Sequence, residues 1–129
     1  MASPPLVLVI DDSANIREAL AVALGLEGYA VETATDGLDA LRKLHAGLRP
    51  DLIVSDMMMP VMNGFEFRQA LLTDPTLPNI PFIAYSAITD PNETARHLRA
   101  DAYLYKPADV AQIAAIVHRF CRPRTNSVH

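Results

Sequence analysis

With 129 residues, half of them hydrophobic and a fifth charged, the chain has the size and composition of one folded domain, with no room for a second. A net charge of −4 supplies no basic face for nucleic acid or an anionic membrane. No apolar run approaches the roughly 20 residues of a membrane span, and the lone Cys121 excludes an intramolecular disulfide. His45, His97, His118 and His129 lack metal-ligand spacing and, with Cys121, are read as incidental. Met1 to Pro5 lacks the basic and apolar regions of a signal peptide, so a cytoplasmic location is expected.

Leu6 to Ile10 is an apolar run of strand length, rich in β-branched residues and ended by Asp11 and Asp12. Ile16, Leu20, Ala23 and Leu24 recur at helical spacing, with Gly25 and Gly28 supplying helix-ending and turn chemistry. Tyr29 to Ala34 reads as a second strand and Asp36-Gly37 as a turn. Leu38, Leu41, Leu44 and Leu48 then mark a helix face that Pro50 closes off. Leu52 to Ser55 is the third strand, ending at Asp56. After the loop Met57-Met58-Met59-Pro60, Asn63 with Glu66 reads as a capping box for a helix carrying Phe67, Ala70 and Leu71.

Pro75, Pro78 and Pro81 make a loop before the fourth strand, Phe82 to Tyr85, which ends at Ser86. Asp90-Pro91-Asn92-Glu93 starts a short fourth helix. Ala102 to Tyr105 is a fifth strand ending at Lys106, and Val110, Ile113, Ala114, Val117 and Phe120 trace the last amphipathic helix. Arg119, Arg122 and Arg124 belong to a solvated tail. Met1 and that unpatterned tail, 122–129, are read as the ends of a complete single-domain chain, 1–129, with its core at 6–120. Alternating apolar strands and helices with short connections predict an α/β fold, a parallel sheet covered on both faces by right-handed crossovers.

In an open α/β sheet, ligands bind beyond the carboxyl ends of the strands. Asp11, Asp12, Asp56, Ser86 and Lys106 all fall at that edge. Singly, each has a bland explanation as a cap, a loop acid, a turn residue or a solvated charge. Together they bring three carboxylates, a hydroxyl and an ammonium to one cleft. Two like charges about 4 Å apart repel by roughly 4 kcal/mol at an effective dielectric of about 20, so such acids need a cation. Oxygen-only ligands favour Mg²⁺ (or Mn²⁺) shared with a phosphate. One carboxylate can then attack phosphorus while Lys106 and Ser86 meet the phosphoryl oxygens, giving an aspartyl phosphate.

The stretch Asp56-Met57-Met58-Met59-Pro60-Val61-Met62-Asn63-Gly64 resembles the phosphoacceptor loop of the CheY-like response-regulator receiver domains of two-component signalling. Asp11-Asp12 resembles that family's metal pair, Tyr85-Ser86-Ala87 its hydroxyl-bearing strand end, and Asp101 to Pro107 its lysine strand. The resemblance runs from Leu6 to about Phe120. It implies a flavodoxin-like, doubly wound five-stranded sheet of order 2-1-3-4-5 with five helices. It also implies that Asp56 accepts a phosphoryl group from a histidine kinase or histidine phosphotransfer protein. Asp12 would ligate Mg²⁺ directly, Asp11 partly through water, and the Met58 backbone carbonyl would be a further ligand. Ser86 and Tyr103 would form a switch pair, Lys106 would pair with the phosphoryl group, and the Lys106-Pro107 bond would be cis. Two departures stand out: the stretch from Ser86 to Lys106 is slightly short, and Arg99 stands where the family commonly has glycine. Met58 and Ile88, at positions flanking the site, would tune the lifetime of the phosphorylated form through access of water.

The leading expectation is therefore a stand-alone switch rather than a turnover enzyme, with only Mg²⁺-assisted self-phosphorylation and self-dephosphorylation. Phosphorylation would alter how the face of the last helices and strand binds a protein, a phosphorylation-dependent dimer included, without direct contact to nucleic acid or membrane. A phosphorelay shuttle passing the group to a second histidine is the nearest alternative. An aspartate-nucleophile phosphatase is remote, because its two aspartates stand two residues apart after the first strand whereas Asp11 and Asp12 are adjacent. No glycine-rich phosphate loop follows the first strand to support nucleotide binding.

Overall fold

An unbroken apolar run makes a stable strand only where both of its faces are covered, and the sheet meets that condition. The computed structural model describes residues 4–86, 99–105 and 109–121. Its strands are β1 (Leu6–Ile10), β2 (Ala30–Ala34), β3 (Leu52–Asp56), β4 (Phe82–Ser86) and β5 (Ala102–Tyr105). The helices among the described residues are α1 (Ala14–Leu26), α2 (Gly37–His45), α3 (Gly64–Thr73) and α4 (Val110–Phe120). All neighbouring strands are parallel, in the order β2-β1-β3-β4-β5. The fold is α/β and flavodoxin-like, as expected. The helix predicted after Asp90, together with Ile88, Lys106, Pro107 and the tail from Arg122, lies outside the described residues.

Strand alternation divides the core in two. Leu8, Ile10, Ile53, Phe82 and Ala84 point to the side closed by α2 and α3, where they meet Leu41, Leu44, Phe67 and Leu71. Val7, Val9, Leu52, Val54 and Ile83 point to the other, where they meet Leu20 and Leu24 of α1 and Ile113 and Val117 of α4. Each fully buried aliphatic side chain contributes about 2 kcal/mol of transfer free energy.

Several boundaries differ from the sequence reading. Asp56 is the last residue of β3 and Ser86 the last of β4, so both side chains are fixed by ladder geometry rather than by a loop. Gly25 sits inside α1, and Gly28, at φ +97°, makes the turn out of it. Asp36 does more than turn the chain: its carboxylate accepts from the Asp39 N–H at 2.8 Å and caps α2, whose first residue is Gly37. A Cβ on Gly37 would lie 2.8 Å from Phe67 Cβ and 2.9 Å from the Met62 carbonyl, so the close approach of α2 to α3 demands glycine there. The capping box of Asn63 and Glu66 forms on α3 as predicted, and Asp109 with Gln112 makes a second one on α4.

His45 and His118 have structural partners. His45 Nε2 lies 2.8 Å from Asp74 Oδ2, and His118 Nδ1 lies 3.3 Å from the Tyr29 hydroxyl. Arg68 was not anticipated in the interior, yet it is buried on α3, with its guanidinium 4.8 Å above the Phe82 ring.

Candidate functional site

β1 is flanked by β2 on one side and β3 on the other, so the strand order reverses between β1 and β3. Ile10 pairs with Ser55 across that seam, which brings Asp11 and Asp12, just past β1, beside Asp56. Ligand oxygens of the three carboxylates lie within 4.8 Å of one another. Asp11 and Asp56 are buried and Asp12 is exposed, so two acids of the cluster are shielded from solvent and one faces it. At that separation two charges repel by about 3 kcal/mol at an effective dielectric of about 20. A set of hard oxygen donors, two of them shielded from water, fits a divalent cation of the Mg²⁺ class.

Local structure fixes each acid. The Ser13 backbone N–H donates to Asp11 Oδ1 at 2.8 Å while the Ser13 hydroxyl caps α1 by accepting from the Ile16 N–H at 3.3 Å. Arg17 donates to the Asp11 backbone carbonyl at 2.7 Å. The Met58 N–H donates to Asp56 Oδ1 at 3.1 Å, so the backbone of the β3–α3 loop turns back over the acid. Met57 is buried, whereas the Met58 side chain is 60 % exposed. Gly64 opens α3 against the loop, and its N–H donates to the Met57 carbonyl at 3.2 Å. A Cβ there would lie 2.7 Å from the Asp56 carbonyl, so any larger residue would push on the acid's own backbone. Val61 sits in the same loop at φ +67°, a conformation that a β-branched side chain rarely adopts.

Ser86 is fully buried at the end of β4, one residue beyond the Asp56–Tyr85 pair in the ladder. Tyr103 pairs with Ala84 in the ladder, and its partly buried ring packs on the α2–α3 side of the core. Among the predicted site residues, Asp11, Asp12 and Asp56 are therefore brought together, with Ser86 at the same edge, while Lys106 lies outside the described residues.

One participant escaped the sequence reading. The Tyr85 hydroxyl donates a hydrogen bond to Asp11 Oδ2, reaching across β3 from β4. Burial, and then the negative charges of Asp11, Asp56 and Asp12, push the Tyr85 phenol well above its ordinary pKa, so it stays a donor. The available signal was a tyrosine in a buried strand, whose hydroxyl must find a partner, with acids at the ends of neighbouring strands.

The family model for the response regulator receiver domain matches residues 7–118. The chemotaxis response regulator CheY4 of Vibrio cholerae superposes with a TM-score of 0.80 at 35 % identity, covering 90 % of this chain and 98 % of that one. The response regulator TrrA of Thermotoga maritima, solved in complex with Mg²⁺-BeF, gives a TM-score of 0.75 at 29 % identity, covering 90 % and 98 %. The DNA-binding dual master transcriptional regulator RpaA of Synechocystis is 34 % identical over 126 residues, which are 96 % of this chain and 52 % of that protein. This chain thus spans about half the length of the curated relatives it matches. No helix among the described residues is long and apolar enough to cross a membrane. The match over most of the chain, with the strand order and the acids at its reversal point, places the protein in the family of response regulator receiver domains.

Proposed function

We propose that Asp56 accepts a phosphoryl group from the phosphohistidine of a kinase or phosphotransfer protein and that the resulting aspartyl phosphate switches the binding of a further protein. The observation that carries this reading is the gathering of Asp11, Asp12 and Asp56 within 4.8 Å at the strand-order reversal. An Asp56 carboxylate oxygen attacks phosphorus, the bond from phosphorus to the histidine nitrogen breaks, and the imidazole leaves as a neutral base on taking up a proton. Asp12, Asp56 and the Met58 carbonyl would hold Mg²⁺ or Mn²⁺, with Asp11 oriented by the Ser13 N–H. That cation supplies charge neutralisation for the acids and for the equatorial phosphoryl oxygens.

The Met58 N–H restrains one carboxylate oxygen of Asp56 and thereby orients the nucleophile. Ser86 donates its hydroxyl to the transferred group, Lys106 neutralises it, and Tyr103 follows the Ser86 movement as the second half of the switch. Water later attacks phosphorus and restores the carboxylate with release of inorganic phosphate, so the phosphorylated state is transient. A cytoplasmic setting and a protein rather than nucleic-acid contact surface belong to the same reading, in keeping with the net charge of −4.

Incubation with Mg²⁺ and a small phosphodonor, followed by mass spectrometry, should add one phosphoryl group to the parent and none to Asp56→Asn. Equal uptake by the two proteins would refute the assignment.

A further inference from the structure

The Asp11 carboxylate is held at both oxygens, by the Ser13 N–H on Oδ1 at 2.8 Å and by the Tyr85 hydroxyl on Oδ2. We infer that Tyr85 is a positioning residue of the acidic site, whose hydroxyl locks Asp11 in the orientation that receives a divalent cation or its water. The inference rests on the reading of the acidic cluster as a Mg²⁺ site.

A terminal carboxylate torsion is broad and roughly two-fold, so one donor leaves Asp11 free to rock. Two donors on separate oxygens fix it. An ionised carboxylate has about four lone-pair positions, so both oxygens still have one to offer outward. Asp12 is exposed, and the Met58 N–H donates to Asp56 Oδ1. Asp11 thus has a donor on each oxygen, and Tyr85 supplies the second. Outer partners of this kind are worth about 10–100-fold in metal affinity.

The hydroxyl is separable from the rest of the side chain. The Tyr85 ring is 1 % exposed and packs with Val54, Ile83 and Ile113 on the α1–α4 side, a job phenylalanine would do equally well. The hydroxyl makes the bond to Asp11, across β3 from β4. The main chain at Tyr85 is tied to the site as well, its carbonyl accepting from the Met57 N–H at 3.2 Å, so the ring is carried on the backbone that flanks Asp56.

The test compares the parent with Tyr85→Phe by Mg²⁺ titration calorimetry and by the carboxyl-carbon NMR signals of the aspartates. The expected result is a Mg²⁺ dissociation constant about tenfold higher in the variant, with the metal-free Asp11 signal displaced. Affinities that agree within about twofold would overturn the inference, since outer partners normally contribute more. So would a weakened affinity with an unmoved Asp11 signal, because the effect would then come from ring packing. A parent that binds no Mg²⁺ would instead remove the reading of the acidic cluster, and this role with it.

Discussion

At the amino end of the sheet the buried charge is Arg68, which a carbonyl, an aromatic ring and a nearby carboxylate compensate. Its guanidinium donates to the Arg99 carbonyl at 2.9 Å and lies over the Phe82 ring. Burial lowers its pKa, the nearby Asp101 works against that fall, and the like charge of Arg99 adds to it. At the carboxyl end the buried acids are Asp11 and Asp56, and the carboxylate oxygens of Asp12 lie within 4.8 Å of theirs. Both ends carry a non-glycine residue at positive φ, Arg99 at +51° and Val61 at +67°. The contrast separates a charge that the fold uses from one that the fold tolerates. The first is met by a carboxylate, a carbonyl and an aromatic face, whereas the second gathers three carboxylates, a donor set that suits a divalent cation.

The largest way to break the comparison is at its compensated end. Arg68→Ala should cost about 3 kcal/mol in urea denaturation, because it strips the cation from Phe82 and leaves the Arg99 carbonyl without its donor. A loss under about 1 kcal/mol would mean that Arg68 is not part of a closed unit. A smaller effect of opposite sign is expected at the other end, where Val61→Gly should stabilise by about 1 kcal/mol, net of glycine's unfolded-state entropy. Measured destabilisation there would show that the strain read from φ is compensated by contacts of the valine side chain.

The smallest effect is a pH dependence. Hydrogen bonds from Thr76, then from His45, hold the Asp74 carboxyl down to about 2 from 3.8. A depressed carboxyl pKa stabilises the fold above the unfolded value, so this contribution is complete above pH 3.8 and disappears as the pH falls through about 2. Unfolding midpoints across that window should therefore drop less steeply in Asp74→Asn than in the parent. Parallel curves would remove Asp74 from the ion pairs that matter.

The sequence made the carboxyl end legible and the amino end nearly opaque. Strands covered on both faces are continuous apolar runs, so Leu6 to Ile10 and the run from Leu52 could be found, and the acids that end them stand out as abrupt polar residues. The capping box at Asn63 and Glu66 is local and was equally visible. Arg68 looked like any helix-surface arginine, because its burial depends on Phe82 and Arg99, distant in the chain. The bond from Tyr85 to Asp11 spans 74 positions and crosses a strand, so no spacing rule points to it. Asp-Gly signals a turn in a sequence, whereas in the fold Asp36 caps α2 and Gly37 is its first residue, packed closely against α3. The glycine expected at position 99 has its reason in the left-handed backbone that Arg99 adopts.

The central claim is that like charges are held together at the cost of stability until a cation joins them. Equilibrium unfolding of the parent and of Asp56→Asn, each in chelator and in Mg²⁺, tests it directly. In chelator the variant should be more stable by about 1–2 kcal/mol, because one of the repelling charges is gone. Mg²⁺ should raise the parent more than the variant and narrow or reverse the gap. An Asp56→Asn protein less stable than the parent in chelator, with no Mg²⁺ effect on either, would contradict the account.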